Sequence, residues 1–557
     1  MKFKLLICSL FLALSLSAQV DGNRNAGYEN DTNTSYTGEG KGFQRHYDLA
    51  DATPFANDIK ASDLKALLDV LASDTLQGRE TGEPGQWKAA DFIASQFKQA
   101  GIAAKADRNS YFQNILLRKT SWSDIGLVVG TQEFRNRSDF YVYPALTSDA
   151  PKTSIKDLVF VGYGIEDAKY NDYEKADVRG KAVIFYDGEP LDTKGNSLIT
   201  GTEFRTSWSL NWRKKVKLAK DKGATMVFII DPNFEESVKK NRQQISTYGW
   251  KPEGNFMGTD ANDLINCLFL SQSTADAILG KKAGKAENEF SDLRNGKKFK
   301  PVKIKSKVEV RLAKVTKELK GSNVLAVIEG TDSVLKKEYV FVTAHYDHLG
   351  MADSTVIYNG ADDNASGTSG VIEIARAFQA AKDKGIGPKR TVVCMLVSGE
   401  EKGLLGSKYY TEFPLFPLDK TVVDVNIDMI GRVDERHADN PDYVYVIGAD
   451  RISTDLHKIN EAQNFEHTKL ELDYRYNAKD DPNHYYERSD HYNFAEKGIP
   501  AIFFFNGTHP DYHRPTDTAD KINFEALAKR AQLAFYTAWE VANRPFKLSR
   551  DIWPDKN

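Results

Sequence analysis

Cysteine is nearly absent. There are three in 557 residues, Cys8, Cys267 and Cys394, which excludes a disulfide-built scaffold and a zinc site made of four thiolates. A surplus of one charge is missing too: 75 Lys and Arg face 78 Asp and Glu, a net charge of -3. Nothing therefore points to nucleic acid, and no acidic block forms a tail. No apolar run reaches the roughly 20 residues that a membrane span needs. Histidine is missing from a long central stretch. None lies between positions 140 and 295, while nine of the ten lie between His345 and His513, with His46 the tenth. Chemistry that needs imidazole belongs to the C-terminal half.

What is present is ordinary globular material, 41% hydrophobic, 11% aromatic and 27% charged, which excludes bulk disorder and collagen-like repeats. At about 100–200 residues per domain, the length fits two or three domains. The first 18 residues stand apart. Lys2 and Lys4 precede an apolar run from Leu5 to Leu16, and small residues Ser15, Ser17 and Ala18 precede Gln19. This pattern predicts a secretory signal peptide over 1–18 and a secreted or periplasmic protein. Cys8, preceded by Ile7 inside the apolar run, is poorly placed for a lipoprotein signal. Residues 19–50, rich in Asn, Gly, Thr and Asp, read as a loose arm.

Beyond the arm the chain divides into 51–139, a separate β-rich unit over 140–295, and 296–557, the first and last being parts of one discontinuous domain. Ser62 is placed to cap a helix carrying Leu64, Leu67, Leu68 and Leu71. A second helix runs from about Gln86 and stops at Gly101. In the C-terminal half, Tyr339–Ala344, Thr391–Val397 and Ile499–Phe505 are near-continuous apolar runs, as in strands buried on both faces. Val423, Val425 and Ile427 alternate, predicting a strand with one less covered face. Helical stripes such as Val371, Ile374, Ala375 and Phe378, and Leu527, Ala531, Ala534, Ala538 and Val541, lie between and after them. The expected fold is α/β: a mixed, mostly parallel sheet with helices on both faces.

Each of these strands runs straight into polar residues of ligand type. They are His345-Tyr346-Asp347-His348, Ser398-Gly399-Glu400-Glu401, Asn426-Ile427-Asp428, and a short loop to His509 and Tyr512-His513. In open α/β sheets, sites form outside the carboxyl ends of the strands. The loop from Asn359 to Gly367, dense in glycine and carboxylate, sits just before a helix. Two histidines and at least three carboxylates exceed the four ligands of one zinc, and fit two zinc ions that share a bridging carboxylate. Of the adjacent Glu400 and Glu401, one can ligate while the other faces water as a general base.

The ordered motifs H-Y-D-H, N-G-A-D-D-N-A-S-G, S-G-E-E-K-G-L-L-G-S, N-I-D-M-I-G and Y-H-R-P-T-D-T resemble the secreted co-catalytic di-zinc aminopeptidases, a family that also contains glutamate carboxypeptidases. The stretch G-Y-G-I…Y-N-D-Y…V-R-G-K-A-V-I resembles the protease-associated domain that such enzymes often carry as an insert. The resemblance implies that His345 and Asp428 hold one zinc, Glu401 and His513 the other, and Asp363 bridges them. It makes Glu400 the general base and Tyr512 an oxyanion-stabilising group. Asp347 would orient His345 from behind, and Asp490 would lie near the metals. No ligand position departs from the family pattern. His348 reads as structural, Asp362 as a loop hydrogen-bonder, His484 and His509 as surface or loop residues, and His437, His457 and His467 as solvated. Cys394 reads as an inert core thiol.

The expected protein is a zinc metallopeptidase that removes N-terminal residues from peptides. A carboxypeptidase or dipeptidase on the same scaffold would need a cation at the pocket to bind the substrate carboxylate, and Arg488 and Arg514 are the candidates. A non-catalytic binding protein of the same fold would have lost ligands, and none is lost here. Nothing in the sequence speaks to oligomeric state.

Overall fold

The computed structural model describes residues 47–242, 264–295 and 297–552, with short pieces at 34–35, 44–45, 245 and 248–252. The expected signal peptide lies outside the described residues, as does most of the arm. The chain forms two compact units, Met1–Ile115 with Gly321–Asn557, and Leu116–Lys320. The breaks fall inside two long strands, Phe112–Val129 and Val302–Ile328, not at 139/140 and 295/296. An extended strand carries the chain across with no Pro- or Gly-rich linker, so composition does not mark the crossing.

The first unit begins with helices α1 (Ala61–Leu71) and α2 (Pro84–Gln99). Leu64, Leu67, Leu68 and Leu71 form the buried stripe of α1. Its N-cap position is Lys60, with no side-chain cap, and Ser62 sits inside the first turn. Proline opens α2, where its missing N–H costs nothing. The chain leaves the helix through Gly101 at φ +74°.

The sheet of this unit uses β1 (the C-terminal part of Val302–Ile328), β2 (Tyr339–His345), β3 (Thr391–Val397), β4 (Thr421–Ile427), β5 (Tyr443–Ile447), β6 (Glu471–Asp473) and β7 (Ala501–Phe505). Their order is β6-β5-β7-β4-β2-β3-β1. The central run β7-β4-β2-β3 is parallel throughout, while β1 and β5 join antiparallel. Helices α3 (Gly367–Asp383) and α4 (Phe524–Asn543) pack together, with Phe378 stacked on Trp539 at 5.6 Å between ring centroids. The alternation of Val423, Val425 and Ile427 predicted an open face for β4, but all seven of its residues are buried. The intervening polar residues bond inside the sheet: Thr343 Oγ1 lies 2.9 Å from both Asp424 Oδ1 and Asn426 Oδ1, and Asn426 Nδ2 donates to Ser489 Oγ at 2.8 Å, while Asp424 Oδ2 is buried without a partner among the described residues. Polar alternation in a central strand thus records a hydrogen-bonded layer, not solvent.

The second unit has its own parallel strands, Ala150–Phe160, Ala182–Tyr186, Met226–Ile230 and Cys267–Leu270, in that spatial order. Phe140–Tyr141 pairs antiparallel with the last of them. Helices Trp212–Asp221, Phe234–Lys240, Gln272–Leu279 and Ala283–Arg294 make this unit α/β, not simply β-rich. Cys267 and Cys394 are both buried and free. Among the described residues no helix is long and apolar enough to cross a membrane.

Candidate metal centre

Because β2, β3, β4 and β7 run parallel, their carboxyl ends share one edge of the sheet. His345 ends β2, Glu400 and Glu401 follow β3 by one tight turn through Gly399 at φ +74°, Asp428 follows β4, and the segment after β7 carries His509, Tyr512 and His513. The loop before α3 delivers Asp362 and Asp363 to the same place, both buried.

Two clusters meet at Asp363. In one, His345 Nε2 lies 3.2 Å from Asp428 Oδ1 and 3.3 Å from Asp363 Oδ1. In the other, His513 Nε2 lies 3.0 Å from Asp363 Oδ2 and 3.3 Å from Glu401 Oε2. His348 adds to this second cluster, with Nδ1 2.8 Å from Glu401 Oε1 and 3.8 Å from Asp363 Oδ2. The two oxygens of Asp363 therefore face different imidazoles, which is the geometry of a bridge. In the triads His345–Asp363–Asp428 and His348–Asp363–Glu401, the ligand atoms lie within 4.8 Å of one another. Imidazole nitrogens and carboxylate oxygens in such triads fit zinc-type cations.

The electrostatics agree with a cation receptor. Burial would push the Asp363 carboxyl up, yet the surrounding imidazoles of His348, His345 and His513 hold it well below the usual range. Burial would likewise lower His513, but Glu401 and Asp363 raise it to about 11. Glu400 is different. Burial pushes its carboxyl well above the usual range, and Glu401, Asp428 and Asp490 add to this against the pull of His345. Its Oε2 stands 4.0 Å from His345 Nε2, beside the cluster and outside both triads.

Supporting contacts differ in part from the expectation. Asp347 does orient His345, but through its main-chain carbonyl, which lies 3.1 Å from Nδ1, while its carboxylate is 3.9 Å away. That carboxylate instead accepts from Thr81 Oγ1 at 2.6 Å and from the Glu400 backbone N–H at 3.2 Å. Asp490 is buried and accepts from Ser407 Oγ at 2.5 Å. Its neighbour Ser489 is the residue that touches the cluster, donating to Asp428 Oδ2 at 2.7 Å. Asp362 accepts from the Gly431 N–H at 2.7 Å and from Asn506 Nδ2 at 3.0 Å. His509 is not a surface residue: it is buried, with Nε2 3.2 Å from Asp362 Oδ2. His437 is buried too, 2.9 Å from Asp434 and stacked on Tyr443. His484 is exposed as expected.

Two contributors escaped the sequence reading. Arg79 is fully buried and donates to the carbonyls of Tyr346, Leu71, Asn359 and Gly360 at 2.5–3.0 Å. It thereby ties the Gly-rich turn after α1 to both metal-side loops. Asp517 accepts from the backbone N–H groups of Asp362 and Asp363 at 3.0–3.2 Å, holding the backbone of the residue at which the two clusters meet. Gly360 has φ +57°, and a Cβ there would strike the Asp363 carbonyl and the His348 ring.

A pocket opens onto the clusters. His345, Asp363, Glu400, Asp428 and His513 form its polar side, Met429, Tyr485, Phe503 and Phe505 its apolar side, and Arg488, Thr508 and Tyr512 complete it. Arg514 is exposed and does not line it.

Residues 323–538 match the profile of peptidase family M28. This stretch resembles peptidase family M28. The chain is 27% identical to aminopeptidase YwaD of Bacillus subtilis (strain 168) over 227 residues, 40% of this chain and 45% of that protein. It is 28% identical to a probable leucine aminopeptidase of Arthroderma otae over 235 residues, 41% of this chain and 60% of the relative. The chain thus spans about half the length of these curated relatives. The solved aminopeptidase from Aneurinibacillus sp. strain AM-1 superposes with a TM-score of 0.55 at 20% identity, covering 90% of this chain and 98% of that one, a likeness of fold. The M28 match begins at Asn323 in β1 and ends at Ala538 in the last helix, and so contains all the residues of both clusters.

Proposed function

We propose that the protein is an exported zinc aminopeptidase that hydrolyses the N-terminal peptide bond of peptides, with two zinc ions per chain. The observation that carries this reading is Asp363, whose two carboxylate oxygens face His345 and His513 respectively. His345, Asp363 and Asp428 would hold one ion, and Asp363, Glu401 and His513 the other, with His348 fixing the Glu401 carboxylate from behind. Aminopeptidase names among the relatives support the choice of reaction. The 1–18 pattern supports export, and residues 140–295 are read as a protease-associated domain.

Bound zinc would supply Lewis acidity to the scissile carbonyl and lower the pKa of the attacking water. The chain supplies the rest. The Glu400 carboxylate takes a proton from the attacking water and returns it to the leaving amine nitrogen. Tyr512 donates its hydroxyl to the carbonyl oxygen as negative charge develops there. The acidic groups beside the clusters hold the protonated α-amine, and Met429, Tyr485, Phe503 and Phe505 receive an apolar first side chain.

A panel of aminoacyl chromogenic substrates, run beside N-acetylated and C-terminally blocked peptides, tests this. Free amines should be cleaved whether or not the C-terminus is blocked, and N-acetylated substrates should resist. Cleavage of N-acetylated peptides at equal rates would refute the assignment.

A further inference from the structure

Arg488 is the one lysine or arginine among the residues that line this pocket. Its guanidinium lies over the Tyr485 ring, 4.8 Å from the centroid, and Nη2 donates to the Tyr512 hydroxyl at 3.2 Å. Among the described residues no carboxylate forms an ion pair with it, and Glu400 acts on it only from further off. A guanidinium has five N–H donors in a planar fork suited to a carboxylate, so most of its donors are unspent. The Tyr485 ring and the Tyr512 hydroxyl fix its orientation in advance.

The position suggests what it meets. In the reaction proposed above, on which this inference rests, the Tyr512 hydroxyl touches the scissile carbonyl oxygen. Arg488 stands 3.2 Å beyond that hydroxyl, and the backbone advances about 3.8 Å per residue. We propose that Arg488 binds a carboxylate on the first residue after the scissile bond, making dipeptides with a free C-terminal carboxylate the preferred substrates. The same chemistry is offered by an acidic side chain at that residue. The phenol oxygen accepts from Arg488 and keeps its own proton for the carbonyl, so one guanidinium can serve both contacts.

The test compares leucyl-leucine with leucyl-leucinamide, and adds leucyl-glutamate α-amide to separate a main-chain from a side-chain carboxylate. For the wild-type holoenzyme, kcat/KM should favour leucyl-leucine over its amide by about 10–100-fold, as expected for a charged hydrogen-bonded pair. In Arg488→Gln the ratio should collapse towards one, mainly through KM, and Arg488→Lys should restore part of it. An equal loss on acid and amide, with the ratio intact, would mean that Arg488 acts only through Tyr512 and would overturn the proposal. So would a wild-type enzyme indifferent to the carboxylate. If the wild type cleaved none of these, the aminopeptidase reading would fall separately. Calorimetric binding of leucyl-leucine with a reduced peptide bond, against its amide, would then decide: preference for the acid, lost in Arg488→Gln, supports the carboxylate site, and equal binding refutes it.

Discussion

The two units of this chain use the same device, a run of parallel strands whose carboxyl ends carry acidic residues, and treat those acids in opposite ways. In the second unit, Asp187 and Asp231 follow directly on the strands Ala182–Tyr186 and Met226–Ile230. The chain answers them internally. Lys215, fully buried on the helix Trp212–Asp221, places its ammonium 3.8 Å from Asp187 Oδ1 and bonds the Gly188 carbonyl. Tyr141 and the Asn233 backbone N–H satisfy Asp231 at 2.8–2.9 Å. In the first unit, the carboxylates of Asp363, Glu401 and Asp428 face the imidazoles of His345, His348 and His513, and Asp428 also accepts from Ser489. Fixed cations stay away: Arg79 spends its donors on backbone carbonyls, and Arg488 turns to Tyr512. One edge carries a buried lysine beside its acids, and the candidate metal centre carries imidazoles in that place.

The strongest way to break the comparison is at the adjacent glutamates. Glu400→Gln should lower kcat by roughly 10²–10⁴-fold with both metals retained, because the amide cannot take the proton. Glu401→Gln should instead lose zinc, and excess zinc should recover part of its activity. Metal analysis beside steady-state kinetics separates the two, and exchanged phenotypes would exchange the roles.

Next is Ser489→Ala. Removing the hydrogen bond to Asp428 Oδ2 should weaken zinc affinity by about 10–100-fold, the usual cost of losing an outer hydrogen-bond partner. Competition with a chelator of known affinity measures it, and unchanged affinity would show that Ser489 only fills space. In the second unit, Lys215→Met should cost about 1–3 kcal/mol of stability in denaturant titration, since it leaves the Gly188 carbonyl without its donor. Zinc content and turnover of small aminoacyl substrates should stay as they were. Loss of zinc in that variant would contradict the division of labour. The smallest effect is expected from exposed changes such as Lys214→Ala, which should move neither zinc content nor small-substrate turnover measurably.

The ligand-type residues were legible in the sequence because each follows a buried apolar strand within a few positions, so local pattern and site coincide at His345, Glu400, Glu401, Asp428 and His513. What supports them was not. Arg79 reaches carbonyls 267–281 residues away in sequence, and Asp517 meets the backbone of Asp362 and Asp363 from 154–155 residues away. Such contacts have no period and no spacing. His437 and His509 misled for a related reason: polar residues in loops read as solvated unless their buried partners, here Asp434 and Asp362, are known. The strand around Val425 misled because Asp424 and Asn426 turn to the Thr343 hydroxyl on the neighbouring strand instead of to solvent.

Zinc titration of the chelator-stripped protein, followed by metal content and turnover on an aminoacyl anilide, tests the central claim most directly. Two zinc ions should be retained per chain, turnover should need both, and Asp363→Ala should lose both ions together because its carboxylate serves the two clusters. Full turnover at one zinc per chain, or an Asp363→Ala protein that still holds two, would contradict the shared bridge.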